Sequence, residues 1–548
     1  LHEPYRRQRQ MCIRDRDMSV CICPKPVTAG AGLLFRIIFI FIFTLLLGFD
    51  LSFAFLFTFE AFFLLLLNGR LKNGRFRFLL LYPLIFVQAA QLCSVFVTGR
   101  YIEPLTLWNL SSASSVGAET QVKLTFIAVL FLAVSLPPHR LRIQKVRTFA
   151  WIMAIWGAGE LCFDNFPLRA AAVTAGQVYN QLAYNPAYDD GSRFYRKNVV
   201  EEGKSSWQNE MTKKKNVILI FAEGMPSEVI SEKLTPHTFE LRDRSVSFEN
   251  YYNHTAATFR GIRGQLISGF QLLGGSYGGQ GIAEINKKAV DEHFKGRTES
   301  LPLILRKNGY QTVFLSPHPE SDNFQTFVKG IGFDEVIGSK TAQNWSDRRL
   351  YENLFAEAQR LAEQKRPFLL ATYVLGTHVG LDSPDVKYDD GKNSFLNKFY
   401  NQDYWLGAFL QKFDASAFAK DTILVFTSDH ATYPGRDFTE LFGEYDYFVG
   451  EMPLIFYNKF IMPAKKDAGG LNSLALTPTI LDMLGFRGEA NHFLGHSLFE
   501  KDVVREAYEH FSAIGFNCFD TSGEQVRHYR FKKKGACMKI KAYYDFAG

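Results

Sequence analysis

The sequence predicts a multi-pass α-helical membrane domain followed by an α/β domain with a mainly parallel sheet. Three observations lead there. Phe, Leu and Ile dominate positions 31 to 163, whereas the rest of the 548-residue chain has the mixed composition of a soluble domain. From Asn216 onward, short apolar runs alternate with helical patterns, as in a sheet covered by helices. Four of those runs end on an acid or an imidazole, which sheet packing does not require. The expected division is a tail at 1–32, a membrane domain of about five helices at 33–163, a linker at 164–215 and an extracytoplasmic domain at 216–548.

Leu1 to Asp17 lacks a Met at position 1 and has no apolar signal-peptide core, so it is set aside as a candidate assembly scar, with Met11 and Met18 as candidate starts. The apolar segments are Leu33 to Phe49, Leu51 to Leu67, Phe76 to Val97, Val122 to Leu136 and Thr148 to Phe163. A spanning helix needs about 20 apolar residues, which makes the last two short; five spans are expected, with four as the fallback. Arg70, Lys72, Arg75 and Arg77 lie between the second and third segments, and Arg140, Arg142, Lys145 and Arg147 between the fourth and fifth. Basic loops face the cytoplasm, so the chain after Phe163 is expected outside it. Asp50, Glu60 and Glu160 fall in or beside the segments; Asp50 is read as a turn residue, Glu160 as near an interface and only Glu60 as deep.

Charge follows the same boundary. Up to Phe163 there are 17 Lys and Arg against 8 Asp and Glu, a net +9, whereas the remainder has 45 against 47, a net −2. The basic excess therefore belongs to the membrane part, and nucleic-acid binding loses its main support. Cys12, Cys21, Cys23, Cys93 and Cys162 lie in the N-terminal or membrane part, leaving Cys518 and Cys537 alone in the soluble part. Such a pair fits one disulfide in an oxidising compartment; two unrelated buried thiols are the alternative. Asp164 to Thr212 reads as a polar connector closing on Lys213, Lys214 and Lys215.

The predicted strands of the soluble part are KNVILIFAE ending on Glu223, YQTVFLSPH on His318, PFLLATYVLGTH on His378 and DTILVFTSDH on Asp429 and His430, with MPLIFYN (Met452 to Asn458) as a fifth. Any one of these endings is an ordinary turn residue. Together they matter, because the C-terminal ends of parallel strands open onto one ligand-binding edge, where Glu223, His318, His378, Asp429 and His430 would converge as a metal or phosphate site. Helices are predicted over Ser346 to Gln364, Leu396 to Phe413 and Leu474 to Leu484. The glycines of Gly269 to Gly281 match neither the P-loop nor the dinucleotide fingerprint and read as a surface loop. In HTAATFRGIRGQLISG, Thr258 stands at the start of a short helix. Either it caps that helix, or its hydroxyl does phosphate chemistry at the positive helix end, with Arg260 and Arg263 adding charge.

NVILIFAEG, TAATFRG, LSPH, TYVLGTH, TSDH and LTPTILDMLG, in that order after the apolar segments, resemble the alkaline-phosphatase superfamily, specifically its sulfatase-like membrane transferases. These include lipoteichoic acid synthases and the phosphoethanolamine and phosphoglycerol transferases of bacterial envelopes. The resemblance implies a divalent metal, Zn or Mn, held by Glu223, Thr258, Asp429 and His430, with Thr258 as nucleophile and His378 and His318 as substrate-phosphate ligands, to which Arg260 is added as a substrate-binding candidate. It implies a membrane phospholipid donor, an envelope glycan or lipid A acceptor, and a monomer in the bacterial inner membrane with its catalytic domain periplasmic or extracellular.

One departure is informative. Soluble sulfatases carry a modified Cys or Ser in a Cys/Ser-x-Pro-x-Arg motif, but Thr258 is followed by Phe259, Arg260, Gly261 and Ile262, so no formylglycine forms and sulfate-ester hydrolysis is disfavoured. Around Asn344 and Trp345 the chain does not follow the family, which leaves acceptor recognition open. Two other readings stand beside the transferase: a phosphodiesterase whose acceptor is water, and a non-catalytic lipid-binding envelope sensor, which would not need all four of Glu223, Thr258, Asp429 and His430.

Overall fold

The computed structural model describes residues 29–108, 118–136, 146–163, 165–184, 191–207, 215–272, 298–443, 447–531 and 535–547. The expected N-terminal scar, Cys12, Cys21, Cys23, Arg140, Arg142, Lys145, Lys213, Lys214 and most of the glycine-rich stretch lie outside those residues. The chain divides into two compact units, one drawn from Leu1–Ala89 and Ala128–Leu168, the other from Ala90–Ile127 and Arg169–Gly548.

All five predicted apolar segments are helical: Ala29–Leu46, Leu51–Arg70, Gly74–Thr98, Ala118–Ser135 and Val146–Cys162. Two of them, Leu51–Arg70 and Gly74–Thr98, are long and apolar enough to cross a membrane, with mean hydropathy 1.9 and 1.8. Asp50 caps the second helix, its Oδ1 accepting from Phe53 N at 2.8 Å, which accounts for an acid at that turn. The third helix passes through a π turn at Arg77–Leu81 just before Pro83. Proline has no N–H for the carbonyl four residues back and its ring crowds that carbonyl, and the wider turn makes room for it. Glu60 is fully buried, yet its carboxylate accepts from Gln88 Nε2 and Leu168 N, both at 2.9 Å. A carboxylate satisfied in this way has a structural reason to be there.

The second unit is built on an eight-stranded sheet: β1 Asn216–Ala222, β2 Val246–Glu249, β3 Gln311–Pro319, β4 Glu335–Ser339, β5 Phe368–Val374, β6 Thr422–Ser428, β7 Leu454–Tyr457 and β8 Ala464–Asp467. The order is β4-β3-β5-β1-β6-β7-β2-β8. The five strands from β4 to β6 are parallel, β7 runs antiparallel to both β6 and β2, and β8 is parallel to β2. The sheet is thus mainly parallel, as predicted, with a reversal at β7 that MPLIFYN does not announce, because an apolar run carries no direction. Three further strands, β9 Phe511–Ile514, β10 Asn517–Asp520 and β11 Arg527–Arg530, make a separate antiparallel sheet.

β1 and β6 are central and buried on both faces, hence their continuous apolar runs. Val217, Leu219 and Phe221 face one core, shared with the helices Thr258–Ile267, Leu301–Lys307, Asn323–Ile331 and Leu476–Met483. Ile218, Ile220 and Ala222 face the other, shared with the helices Pro236–Asp243, Asp347–Glu363 and Ser394–Ala415. The last two, and Leu476–Met483, fall where helices were predicted.

The stretch expected to be a linker at 164–215 carries structure instead. Pro167–Leu182 is a helix, and residues 191–207 are packed into the α/β unit. Arg196 pairs with Asn491 through both backbone groups, Val199 and Val200 are in the core, Ser205 Oγ donates to Asp482 Oδ1 at 2.7 Å, and Trp207 packs on Phe499. The apolar residues inside an otherwise polar stretch are the reason: Val199, Val200 and Trp207 gain by burial what a free connector would forfeit. Cys518 on β10 and Cys537 in the helix Gly535–Ala547 are bonded to each other, with Cα atoms 6.1 Å apart.

Candidate active site

The parallel strands bring the expected residues to one edge. Glu223 follows β1, and Asp429 and His430 follow β6, the strand hydrogen-bonded beside it. Ser428 ties the two ends together: its Oγ accepts from Met225 N at 2.8 Å and donates to Ala222 O at 2.7 Å. Thr258 arrives from elsewhere in the chain as the first residue of the helix Thr258–Ile267. Its Oγ1 donates to Glu223 Oε2 at 2.9 Å and lies 3.5 Å from His430 Nε2. The cap position belongs to Ala257 and Thr258 makes no capping bond, so the N-cap alternative does not hold.

One helix face seats this hydroxyl. Thr258, Gly261 and Gln265 are spaced three and four apart and share a side of the helix. Gln265 Nε2 donates to the carbonyls of Ser428 and Asp429, each at 2.9 Å. A Cβ on Gly261 would lie 2.2 Å from Asp429 O, so the helix comes this close to β6 only without a side chain there. Because that neighbour is backbone, Gly261→Ala is expected to cost about 1–3 kcal/mol and to displace Asp429. Thermal melting should show the loss, and cation titration should show weakened binding.

Glu223, Asp429 and His430 each offer an atom within 4.8 Å of the others, and all three are buried. His430 Nε2 is 3.2 Å from Glu223 Oε1 and 3.4 Å from Asp429 Oδ2. His430 Nδ1 lies 2.6 Å from the carbonyl of Ala431, which assigns its proton there and leaves Nε2 as the basic nitrogen. Asp429 Oδ1 accepts from Gly224 N and His430 N at 2.9 Å each, whereas Oδ2 is buried with no hydrogen-bond donor. Burial pushes the Asp429 carboxyl up, with the charge of Glu223 adding to it. Against the burial that would lower it, His430 is raised by Asp429 and Glu223, and against the burial that would raise it, Glu223 is held low by His430 and then His378. Two buried carboxylates around one imidazole, with one oxygen lacking a donor, is a donor set that fits a divalent cation.

His378 follows a single 3-10 turn, Leu375–Thr377, at the end of β5, and its Nδ1 lies 2.9 Å from Val379 O. Its charge reaches Glu223. His318, near the end of β3, stacks on Tyr373 with centroids 6.0 Å apart and meets Phe324 at 4.9 Å; burial lowers its pKa. Arg260 is not brought to the cluster. It lies two positions after Thr258, about 200° round the helix, is 5% exposed, and its charge acts on His254 and Tyr544. Arg263 is likewise interior, with Nη1 3.3 Å from Gln271 Oε1.

Sequence reasoning missed Tyr373, whose hydroxyl donates to Glu223 Oε2, and Lys398. Lys398 is 3% exposed, and among the described residues it makes no ion pair; its amine lies over the rings of Phe395 and Phe399. Burial lowers its pKa to about 8. Between that value and the ordinary lysine range the unfolded chain holds more protons, so the penalty is full below about pH 8 and fades as pH rises. Lys398→Met is therefore expected to stabilise the protein by up to about 3 kcal/mol at pH 7 and by less near pH 10, read by thermal melts at both.

Residues 215–486 match the sulfatase family, and the α/β domain is sulfatase-like. Phosphoglycerol transferase I of Xanthomonas euvesicatoria pv. vesicatoria (strain 85-10) is 24% identical over 379 residues, covering 62% of this chain and 52% of that protein. The chain thus spans about half the length of the curated relatives it matches. Among solved structures, a protein in the alkaline phosphatase superfamily from Vibrio parahaemolyticus is similar at 21% identity and TM-score 0.49, covering 68% of this chain and 93% of that one. The lipoteichoic acid synthase LtaP from Listeria monocytogenes is similar at 15% and 0.45, covering 68% and 96%.

Proposed function

We propose that this protein is a membrane-bound phosphotransferase. It moves a phospholipid headgroup phosphate, phosphoglycerol in preference to phosphoethanolamine, through Thr258 to a hydroxyl of an envelope glycan or lipid. The observation that carries the reading is the Thr258 hydroxyl held 2.9 Å from Glu223 beside Asp429 and His430. The phosphoglycerol transferases among its relatives favour glycerol as the headgroup alcohol.

Glu223, Asp429 and His430 would hold the cation, of the zinc or manganese class given the imidazole and carboxylate donors, with the Thr258 hydroxyl 2.9 Å from Glu223. Such an ion supplies a lowered hydroxyl pKa and charge stabilisation on the phosphoryl oxygens. Thr258 Oγ1 forms a bond to the donor phosphorus as the bond from phosphorus to the diacylglycerol oxygen breaks. The Thr258 proton leaves to solvent as its oxygen attacks, and the departing oxygen takes a proton from His378. An acceptor hydroxyl then attacks the same phosphorus and gives its proton to His378, and the bond to Thr258 breaks as its oxygen regains a proton from solvent, restoring the hydroxyl. The apolar helices keep the site near its lipid donor, in a bacterial inner membrane with the catalytic domain outside the cytoplasm, where a Cys518–Cys537 disulfide persists.

The test uses detergent-solubilised protein, Mn²⁺ or Zn²⁺, and phosphatidylglycerol labelled in its headgroup. Diacylglycerol should appear and the label should move to an added glycan. Release of diacylglycerol with the label ending in free glycerol phosphate would favour the hydrolase; no release from either phosphatidylglycerol or phosphatidylethanolamine would sink the proposal.

A further inference from the structure

Glu223 is gripped by the end of β5 at three points. Its backbone N–H donates to Val374 O at 3.1 Å, its carbonyl accepts from Thr377 Oγ1, and its Oε2 accepts from the Tyr373 hydroxyl. The two carboxylate oxygens have different neighbours. Oε1 lies 3.2 Å from His430 Nε2, while Oε2 takes the Thr258 hydroxyl at 2.9 Å. A glutamate side chain has three rotatable bonds, and nothing in its chemistry distinguishes one oxygen from the other, so an outside donor must decide which faces which neighbour.

Tyr373 is built to be that donor. It is 2% exposed, in a strand hydrogen-bonded to β1 and β3, with His318 stacked on its ring and the Phe324 ring 5.9 Å away. Packing on the ring fixes where the hydroxyl points. A phenol keeps its proton at neutral pH and so serves as a donor.

We propose that Tyr373 is the positioning residue of the centre: its hydroxyl holds Oε2 of Glu223 beside Thr258 and so leaves Oε1 for the cation shared with Asp429 and His430. This rests on reading the cluster as a divalent-cation site. Partners of ligating carboxylates that act this way typically change metal affinity by about 10–100-fold when removed. The competing account is a core tyrosine whose hydroxyl found the nearest acceptor, which affects stability but not the cation.

Tyr373→Phe separates the two, since it keeps the ring against His318 and removes only the hydroxyl. The control is Tyr351→Phe, another buried tyrosine, which bonds Gln402 at 2.9 Å and belongs to the core on the other face of the sheet. Full-length chelator-treated protein in detergent is titrated with Mn²⁺, with free Mn²⁺ followed by electron paramagnetic resonance. Tyr373→Phe should bind about 10–100-fold more weakly than wild type, Tyr351→Phe should bind as wild type does, and far-ultraviolet circular dichroism should match for all three. Wild-type affinity in Tyr373→Phe, or an equal loss in both variants, overturns the positioning role. A wild-type protein that takes up neither Mn²⁺ nor Zn²⁺ overturns the cation centre itself and this role with it.

Discussion

Thr258→Ala is expected to lower phosphoryl transfer by at least about 10³-fold, the scale seen when a covalent nucleophile is deleted, without unfolding the protein. The hydroxyl is the only part of the side chain that reaches Glu223, and it makes no helix cap, so the helix Thr258–Ile267 loses nothing it needs. Gln265 and Gly261 still seat that helix on β6. Cation binding should survive in part, because Glu223, Asp429 and His430 remain. Thr258→Ser retains the hydroxyl and should keep measurable turnover. Assays of diacylglycerol release by both variants, alongside their melting curves, check this; an active Thr258→Ala enzyme would move the nucleophile elsewhere.

Asp429→Asn is expected to abolish the protein's response to chelation. In the wild type, a saturating divalent cation at about 100 times its Kd adds about 2.7 kcal/mol, so a chelator should lower the melting temperature by several degrees. The metal-free state carries the opposite burden. Because the folded Asp429 carboxyl is raised above its unfolded value, the unfolded chain ionises first, and stability falls as pH climbs from the ordinary carboxylate range through the raised folded value. Asn removes that charge and keeps an acceptor for Gly224 N and His430 N. The variant should therefore melt higher than chelated wild type near neutral pH and bind Mn²⁺ more than about 100-fold more weakly. Differential scanning calorimetry with and without chelator reads both effects; a variant that still gains stability from Mn²⁺ would remove Asp429 from the ligand set.

Much of this site was legible because parallel strands turn a sequence pattern into a place. Glu223 and the Asp429–His430 pair each stand directly after an apolar run, and adjacency of β1 and β6 does the rest. What sequence did not reveal follows from periods other than the strand's. Arg260 looked useful by proximity to Thr258, yet a step of two on a helix points away, whereas steps of three and seven reach Gly261 and Gln265, which do touch the end of β6. Tyr373 was hidden inside a core strand, where an aromatic residue needs no further reason. The polar stretch at 164–215 reads as a connector because its few apolar residues, Val199, Val200 and Trp207, are too sparse to show a period, and only the folded chain supplies the core they join.

The central claim is a covalent phosphothreonine, and mass spectrometry of the Thr258 peptide after rapid acid quench tests it most directly. Full-length protein is mixed with phosphatidylglycerol and Mn²⁺ without an acceptor. The account predicts a glycerophosphate adduct on Thr258 that forms as diacylglycerol is released, disappears when the acceptor is added, and is absent from Thr258→Ala. Steady diacylglycerol release with Thr258 unmodified at every quench time, and an adduct on another residue or on none, would contradict it.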